Sequence, residues 1–194
     1  MDVARSALAG LLVVVPTDTV YGIAARPDDP TATRRIFEAK GRPRELMLPV
    51  LVPSIDAART VAVFDDRIER FVAQVWPGVV TVVLARTPIS AGWDLGGDPE
   101  TIGVRVPDHA ATLAVLERTG PLAVSSANRS GEPTPTTAGG VATVFGDEVG
   151  AYLHDPVPAS QMPSTVVDLA HGPARILRPG ALGSEAVLRL LSND

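Results

Sequence analysis

Two short apolar runs limit the fold of this chain more than any other feature of its sequence. They are "LLVVV" at 11–15 and "MLPVLV" at 47–52, and neither contains a charged residue. A strand with one face in water alternates apolar and polar residues, so a wholly apolar run of this length indicates a strand buried on both faces. The chain therefore predicts a sheet that other elements cover.

Helical patterns lie between the strand-like runs. In "DDPTATRRIFEAKG", Asp29 is the predicted N-cap, Pro30 the first helical residue and Gly41 the residue past the end. Further helices are predicted from Ser54, from Asp65 or Asp66, over 108–118, over 136–145 and from 184, and further strands at 79–85, 101–107, 121–126, near 149–153, 164–169 and 174–178. This alternation predicts an α/β fold around a mixed sheet, but it does not give the order of the strands.

Composition narrows the classes of function. The 194 residues suffice for one domain, predicted over 1–194, and the net charge of −5 disfavours a broad nucleic-acid surface. There is no cysteine, which excludes disulfides, a thiol nucleophile and a thiolate metal site. The first residues do not resemble a signal peptide, and no apolar run approaches the roughly 20 residues of a membrane span. We expect a cytoplasmic protein with no membrane partner.

Polar segments directly follow several apolar strands, and this pattern is the main functional signal. "LLVVV" leads into "PTDTVYG", "PLAV" into "SSANRSGEPTPT" and "ARIL" into "RPG". Ligands of α/β proteins bind where loops leave strand ends, although the same residue types also form ordinary turns. A turn is the better explanation for any one segment, whereas several such segments together favour a binding site.

Arg105 is the single charge in the strand "TIGVRVP". An uncompensated buried charge costs roughly 3–5 kcal/mol, so this side chain needs a partner. A structural carboxylate, a wet cleft and an anionic ligand are equally compatible with the sequence.

Lys40 is the only lysine among 17 Lys and Arg residues, and it ends the helix beside Arg42 and Arg44. A cation at a helix C-terminus is favourable in any case, so chance is one explanation of its presence, although the weaker one. The alternative is a narrow site that accepts a compact ammonium and excludes a planar guanidinium.

Several well-known chemistries are absent from the sequence. It contains no GxxxxGK[ST], GxGxxG, GxSxG or HExxH motif, and no paired carboxylates typical of glycosidases. His109, His154 and His171 are far apart, which favours surface or capping roles. An enzyme with this inventory would act by positioning with cations, hydroxyls and amides, as in phosphoryl and nucleotidyl transfer.

Seven segments, in this order, resemble the YrdC family of threonylcarbamoyl-AMP synthases, from about residue 11 to about 182. They are "VVPTDTVYGIAA", "IFEAKGRPRELMLPVLV", "WPGVVTVVL", "TIGVRVPDH", "LAVSSANRSGEPTPTTA", "STVVDL" and "RILRPG". The resemblance implies an α/β fold with a twisted mixed sheet, flanking helices and a concave active-site cleft. It also implies a nucleotidyltransferase that converts L-threonine, bicarbonate and ATP, with Mg²⁺, to threonylcarbamoyl-AMP and pyrophosphate.

Further implications of the resemblance concern partners and single residues. The product would pass to a transferase that modifies tRNA with threonylcarbamoyladenosine, and a weak contact with tRNA itself is compatible with the family. The implied threonine-binding residues are Thr19, Arg105, Val124 and Ser164. The implied ATP-binding residues are Lys40, Arg42, Thr101, Ser126, Asn128, Thr134 and Arg178. Of these, Lys40, Arg42, Ser126 and Asn128 form the family's KxR and SxN signatures and are the implied catalytic residues, and no protein-held metal site is expected.

Two alternatives remain at this stage. One is an RNA-binding module of the same fold, against which the net charge and the aromatic content of 4% weigh. The other is a carbamoyl-transfer relative with another acceptor, resembling domains of hydrogenase-maturation proteins. Where relatives often carry lysine or asparagine, this chain has Leu46, which predicts one polar phosphate contact fewer.

Overall fold

Nine strands form one mixed sheet in the computed structural model of the chain, which describes residues 2–155 and 162–192. The strands are β1 (Val13–Val15), β2 (Gly22–Ala25), β3 (Val50–Leu51), β4 (Val80–Ala85), β5 (Thr101–Arg105), β6 (Leu122–Ser126), β7 (Ala151–Tyr152), β8 (Thr165–Asp168) and β9 (Arg175–Arg178). The helices are α1 (Val3–Leu8), α2 (Pro30–Lys40), α3 (Ile55–Val61), α4 (Asp66–Val75), α5 (Ala110–Thr119), α6 (Ala138–Phe145) and α7 (Ser184–Ser192). The predicted α/β fold with a mixed sheet is confirmed.

The strand order, which the sequence did not give, is β7-β1-β2-β6-β3-β5-β4-β8-β9. Three neighbouring pairs are parallel (β1–β7, β3–β5 and β4–β8), and the other five are antiparallel. Distant segments of the chain thereby become neighbours, since β3 lies between β6 and β5. Arg105 of β5 and the polar segments after β1 and β6 consequently line one cavity.

Strand β1 is buried on both faces, as its apolar sequence predicts. Val14 belongs to a core cluster that includes residues of α2, α4, α6 and α7. Val13 and Val15 belong to a second cluster with Val3 of α1 and Leu116 of α5. Helices therefore cover the sheet on both sides.

Helix α2 has the boundaries that its sequence predicts. The Asp29 carboxylate accepts hydrogen bonds from the backbone N–H groups of Thr31 and Ala32, Pro30 is the first helical residue, and Gly41 is left-handed with φ of +60°. Only glycine adopts that conformation without steric cost, so the helix ends at Lys40. The left-handed turn at Gly41 therefore separates Lys40, at the end of the helix, from Arg42, which follows the turn.

Other predicted boundaries are less accurate. The run 47–52 forms a ladder only at Val50–Leu51, since the Met47 carbonyl oxygen accepts from Arg42 and the Leu48 N–H donates to the Leu95 carbonyl oxygen, both outside the sheet. Helix α5 begins at Ala110 with His109 as its cap, which agrees with the capping role predicted for that histidine.

Within 2–155 and 162–192, no helix is long and apolar enough to cross a membrane.

Candidate active site

A cavity of about 360 Å³ lies over the middle of the sheet, in the size range of small-molecule sites. Segments that are remote in sequence line it, from Thr17 after β1 to Arg178 at the end of β9. Nine of the eleven predicted site residues are among its lining residues: Thr19, Arg42, Arg105, Val124, Ser126, Asn128, Thr134, Ser164 and Arg178. The other two, Lys40 and Thr101, are not.

Arg105 has a structural carboxylate partner and also lines the cavity. A structural carboxylate and a cleft, two of the three explanations for this charge, therefore apply at the same time. Its Nη2 donates to Asp18 Oδ1, its Nη1 to Thr19 Oγ1 at 2.8 Å and its Nε to the Gly78 carbonyl oxygen at 2.8 Å. The side chain is 6% exposed. Burial lowers the pKa of Arg105, and the nearby Asp18 carboxylate opposes that shift. The guanidinium is therefore held in one orientation before any ligand binds.

The hydroxyl groups of Thr17 and Thr19 form a directed chain beside Arg105. Thr17 donates to the Val20 carbonyl oxygen at 2.7 Å, and the two hydroxyl oxygens are 2.9 Å apart. Because a hydroxyl has one hydrogen, Thr19 must donate to Thr17 and accept from Arg105. One lone pair of Thr19 Oγ1 remains, and it can accept a hydrogen bond from a ligand N–H.

Ser164 and Arg178 together line one side of the cavity. Arg178 Nη2 donates to the Ser164 carbonyl oxygen at 2.7 Å and to Ser164 Oγ at 3.1 Å. The hydroxyl groups of Ser164 and Thr81 are 2.9 Å apart. A Cβ atom at Gly180 would lie 2.4 Å from the Pro163 carbonyl oxygen, so glycine in "RPG" allows the close approach that sets this side.

Three arginines make the cavity cationic. Burial lowers the pKa of Arg42, and the charge of Arg178 lowers it further; burial also lowers the pKa of Arg178. Arg178 likewise lowers the pKa of Arg105. Guanidinium groups that repel one another inside a cavity are stabilised by anions, so the site is suited to carboxylate and phosphate groups.

Asn128 organises the loop that follows β6. Its Nδ2 donates to the carbonyl oxygens of Arg129 and Glu132, both at 2.7 Å, and its Oδ1 accepts from Thr134 Oγ1 at 3.0 Å. The predicted direct role of Asn128 in ATP binding remains untested, but all these contacts lie within the protein. The amide fixes the path of residues 128–134, which carries Thr134 to the cavity.

Two predicted site residues, Lys40 and Thr101, are not among the lining residues of this cavity, and their roles stay predictions. Lys40 is 3% exposed, and its Nζ contacts the carbonyl oxygens of Ser126 and Asn128, which are both lining residues. Thr101 starts β5, four residues before Arg105, which corresponds to roughly 13 Å along a strand. At Gly103, between them, Met47 covers the same face of the strand. A sequence motif does not specify where a side chain points, so these two positions could not be inferred from the motifs.

Sequence reasoning missed Asp18 and Thr81. Asp18 stands inside the quoted "PTDTVYG", where a carboxylate in an otherwise uncharged segment was the available signal for a partner of Arg105. Thr81 is the one hydroxyl in "VVTVVLA", a signal of the same kind as Arg105 in its strand. The contacts of Asp18 with Arg105 and of Thr81 with Ser164 could not be foreseen without the strand order.

The acidic residues indicate how a metal ion could be accommodated. Within the described ranges, no group of three or more His, Asp or Glu side chains could hold a metal ion. Glu132 is a carboxylate among the lining residues. This donor set fits a Mg²⁺ ion that arrives on a polyphosphate, which is how Mg²⁺ commonly enters nucleotide sites.

Fold and cavity together define an α/β protein with a cationic small-molecule site. A family model for Sua5, YciO and YrdC proteins, described as "Telomere recombination", matches residues 6–180. The chain therefore belongs to the Sua5/YciO/YrdC family, as its sequence motifs predicted.

Individual relatives agree with this assignment. A Mycobacterium tuberculosis protein, provisionally named a threonylcarbamoyl-AMP synthase, is 40% identical over 187 residues, which cover 96% of this chain and 86% of the relative. The threonylcarbamoyl-AMP synthase of Pyrococcus abyssi is 36% identical over 184 residues, 94% of this chain and 54% of the relative. The crystal structure of P. abyssi Sua5 complexed with L-threonine superposes with a TM-score of 0.85 at 33% identity, over 96% of this chain and 55% of that one. The chain thus spans about half the length of the P. abyssi protein.

Proposed function

We propose that this chain is a threonylcarbamoyl-AMP synthase, which converts L-threonine, bicarbonate and ATP to threonylcarbamoyl-AMP and pyrophosphate. The observation that carries the proposal is that Arg42, Arg105 and Arg178 line one cavity, with hydroxyl groups at its Arg105 end. The names of the relatives and the L-threonine complex of P. abyssi Sua5 support the same activity.

The Arg105 end of the cavity is suited to an amino acid. The N–H groups of Arg105 are the natural donors to a carboxylate, and Asp18 and Thr19 hold that guanidinium in place. The remaining lone pair of Thr19 Oγ1 can accept from the amino group. Val124 and Ser164 would complete the threonine site, with Ser164 oriented by Thr81 and Arg178.

The side with Arg42 and Arg178 is suited to the triphosphate. Both guanidinium groups are fixed by backbone carbonyl oxygens, of Leu46 and Met47 for Arg42 and of Ser164 for Arg178. Ser126 and Thr134 add hydroxyl groups. Mg²⁺ would enter with ATP and neutralise part of the phosphate charge.

The reaction consists of two steps that these groups favour by positioning. The neutral amine of threonine adds to the carbon of bicarbonate or CO₂ and gives an N-carboxylate. Water is lost in the bicarbonate case, and a proton is released in the CO₂ case. An oxygen of that carboxylate attacks the α-phosphorus of ATP, and the bond from this phosphorus to the bridging oxygen breaks to release pyrophosphate. Fixed cations offset the repulsion among three anionic groups, because their orientation requires no rearrangement during the reaction.

The product has a role only if a second protein consumes it. Threonylcarbamoyl-AMP is a mixed anhydride, so we propose that a transferase in the cytoplasm moves its threonylcarbamoyl group to an adenosine of tRNA. A weak direct contact with tRNA is compatible with this arrangement.

The decisive experiment is pyrophosphate release with threonine and bicarbonate omitted in turn. A synthase requires both substrates together with Mg²⁺ and ATP. ATP turnover that does not depend on threonine would favour a carbamoyl-transfer relative. Retardation of RNA with a steep salt dependence, in the absence of pyrophosphate release, would favour an RNA-binding module.

A further inference from the structure

We propose that Lys40 is a positioning residue whose ammonium group clamps the Ser126–Asn128 turn and does not itself bind substrate. The kinetic part of this inference rests on the proposed function, whereas the structural part does not. It replaces the hypothesis that the lysine lies between carbamate and triphosphate.

The contacts of the ammonium group are all with backbone. Lys40 Nζ donates to the Ser126 carbonyl oxygen at 2.5 Å and to the Asn128 carbonyl oxygen at 2.6 Å. The residue is 3% exposed and is not one of the residues that line the described cavity. Two of the three N–H groups of the ammonium are therefore used by backbone carbonyl oxygens.

Two further contacts join the end of α2 to the same loop. The Ser130 N–H donates to the Lys40 carbonyl oxygen at 2.8 Å, and Arg129 Nη1 donates to the Ala39 carbonyl oxygen. Arg129 also pairs with Glu148 across 2.5 Å. The helix end and residues 126–130 therefore behave as one unit, in which the lysine supplies the innermost contact.

The clamp connects the two family signatures. Asn128 uses its side chain to hold the carbonyl oxygens of Arg129 and Glu132, while Lys40 holds the carbonyl oxygen of Asn128 itself. Ser126 and Asn128 line the cavity, so the clamp determines where these groups meet a ligand. A change at Lys40 would therefore reach the substrate only through this loop.

The chemistry of the site explains why lysine is retained in an arginine-rich chain. Two carbonyl oxygens that converge on one buried point suit a compact ammonium with rotatable N–H groups, whereas a guanidinium is a wide planar fork. Without a donor, buried carbonyl oxygens would be left unsatisfied, which is unfavourable. We expect Lys40→Arg to lose at least roughly tenfold in kcat/KM.

The single lysine permits a direct test on the unaltered protein. With ¹⁵N incorporated at lysine Nζ, the folded chain gives one side-chain lysine resonance by NMR. We expect a slowly exchanging, hydrogen-bonded ammonium signal before any ligand is added, with little change on addition of Mg-ATP. A rapidly exchanging signal that becomes protected only with Mg-ATP would overturn the proposal.

A matched pair of variants tests the effect on the loop. In the ligand-free protein, Lys40→Met should accelerate amide exchange of residues 126–130 by about tenfold or more relative to β8. Arg42→Met, which removes a cavity cation, should leave that exchange unchanged and raise KM for ATP. Unchanged exchange in Lys40→Met together with weaker ATP binding would contradict the clamp.

Chemical rescue tests whether the positive charge at position 40 is what holds the loop. Because the chain has no cysteine, Lys40→Cys can be alkylated at one position, in denaturant, and then refolded. Aminoethylation restores an ammonium of nearly the same length, and carbamidomethylation gives a neutral control. We expect slow amide exchange of residues 126–130 and a kcat near that of the unaltered enzyme to return only in the aminoethylated protein, which carries the ammonium. Equal amide exchange in the two adducts would refute the clamp. Slow exchange restored by the ammonium, in a protein that shows no synthase activity as the unaltered chain or as either adduct, would instead refute the proposed function.

Discussion

Arg105 and Asp18 form an ion pair whose side chains are 6% and 14% exposed, and one face of this pair borders the cavity. The second carboxylate oxygen of Asp18 is buried and has no hydrogen-bond partner among the described residues. Arg105 therefore compensates a buried carboxylate and, in the proposed function, would also present N–H groups to the threonine carboxylate.

This pair gives the first prediction. Arg105→Ala removes the threonine contact and also leaves Asp18 unpaired, so it should lower the free energy of unfolding by roughly 3–5 kcal/mol. The double variant Arg105→Ala/Asp18→Ala should recover much of that stability. Calorimetric titration should show weak threonine binding in both variants. Threonine affinity equal to that of the unaltered protein, in either folded variant, would remove Arg105 from the threonine site.

Thr19 gives a test with a conservative control. Thr19→Val leaves Arg105 Nη1 without its acceptor and removes the lone pair that faces the cavity, so we expect KM for threonine to rise about fivefold or more. Thr19→Ser keeps the hydroxyl chain and should stay within about twofold of the unaltered enzyme. Similar KM values for the valine and serine variants would contradict the hydroxyl assignment.

Ser126 distinguishes a turn former from a catalytic donor. If its hydroxyl stabilises the phosphate in the transition state, Ser126→Ala should lower kcat on the order of 10²-fold with little change in melting temperature. Turnover is measured as pyrophosphate release at saturating ATP. A near-normal kcat would mean that the residue contributes only to the turn.

Thr101 tests how far the nucleotide site extends. Because this side chain is not among those that line the cavity, we expect Thr101→Val to leave KM for ATP and kcat within about twofold of the unaltered enzyme. Arg42→Ala, measured in parallel, should raise KM for ATP about tenfold or more. A large effect of Thr101→Val on ATP binding would show that the nucleotide extends beyond the cavity.

The buried lysine predicts a specific dependence of stability on pH. Burial, with a smaller contribution from Arg42, lowers the pKa of Lys40 from 10.5 to about 8. Below this pKa the lysine is protonated in both states, and the cost of its buried charge is fully present. Between about 8 and 10.5 only the folded state has lost the proton, so the unfolding free energy rises with pH.

Comparison with Lys40→Met isolates this contribution. The unfolding free energy of the unaltered protein, minus that of the variant, should rise by about 2 kcal/mol from roughly pH 7.5 to roughly pH 9.5. Urea denaturation at both pH values measures it. A difference that is constant or falls with pH would show that the pKa of Lys40 is not lowered in the folded state.

The sequence by itself determined the class of the fold, the family and most members of the site. Apolar runs such as 11–15 specify buried strands, and Asp29, Pro30 and Gly41 specify the limits of α2, because these signals act through neighbouring residues. The charge of Arg105 indicated a partner or a ligand, since an isolated buried charge is costly.

Only the tertiary structure decided which groups meet. The strand order, with β3 between β5 and β6 and with β9 beside β8, brings Arg105, Ser126 and Arg178 to one cavity. Strand order depends on contacts between distant residues that no local pattern encodes. The direction of a side chain is decided in the same way. Lys40 and Arg42 are two residues apart, yet the left-handed turn at Gly41 and the loop after β6 direct the lysine to buried carbonyl oxygens and the arginine to the cavity.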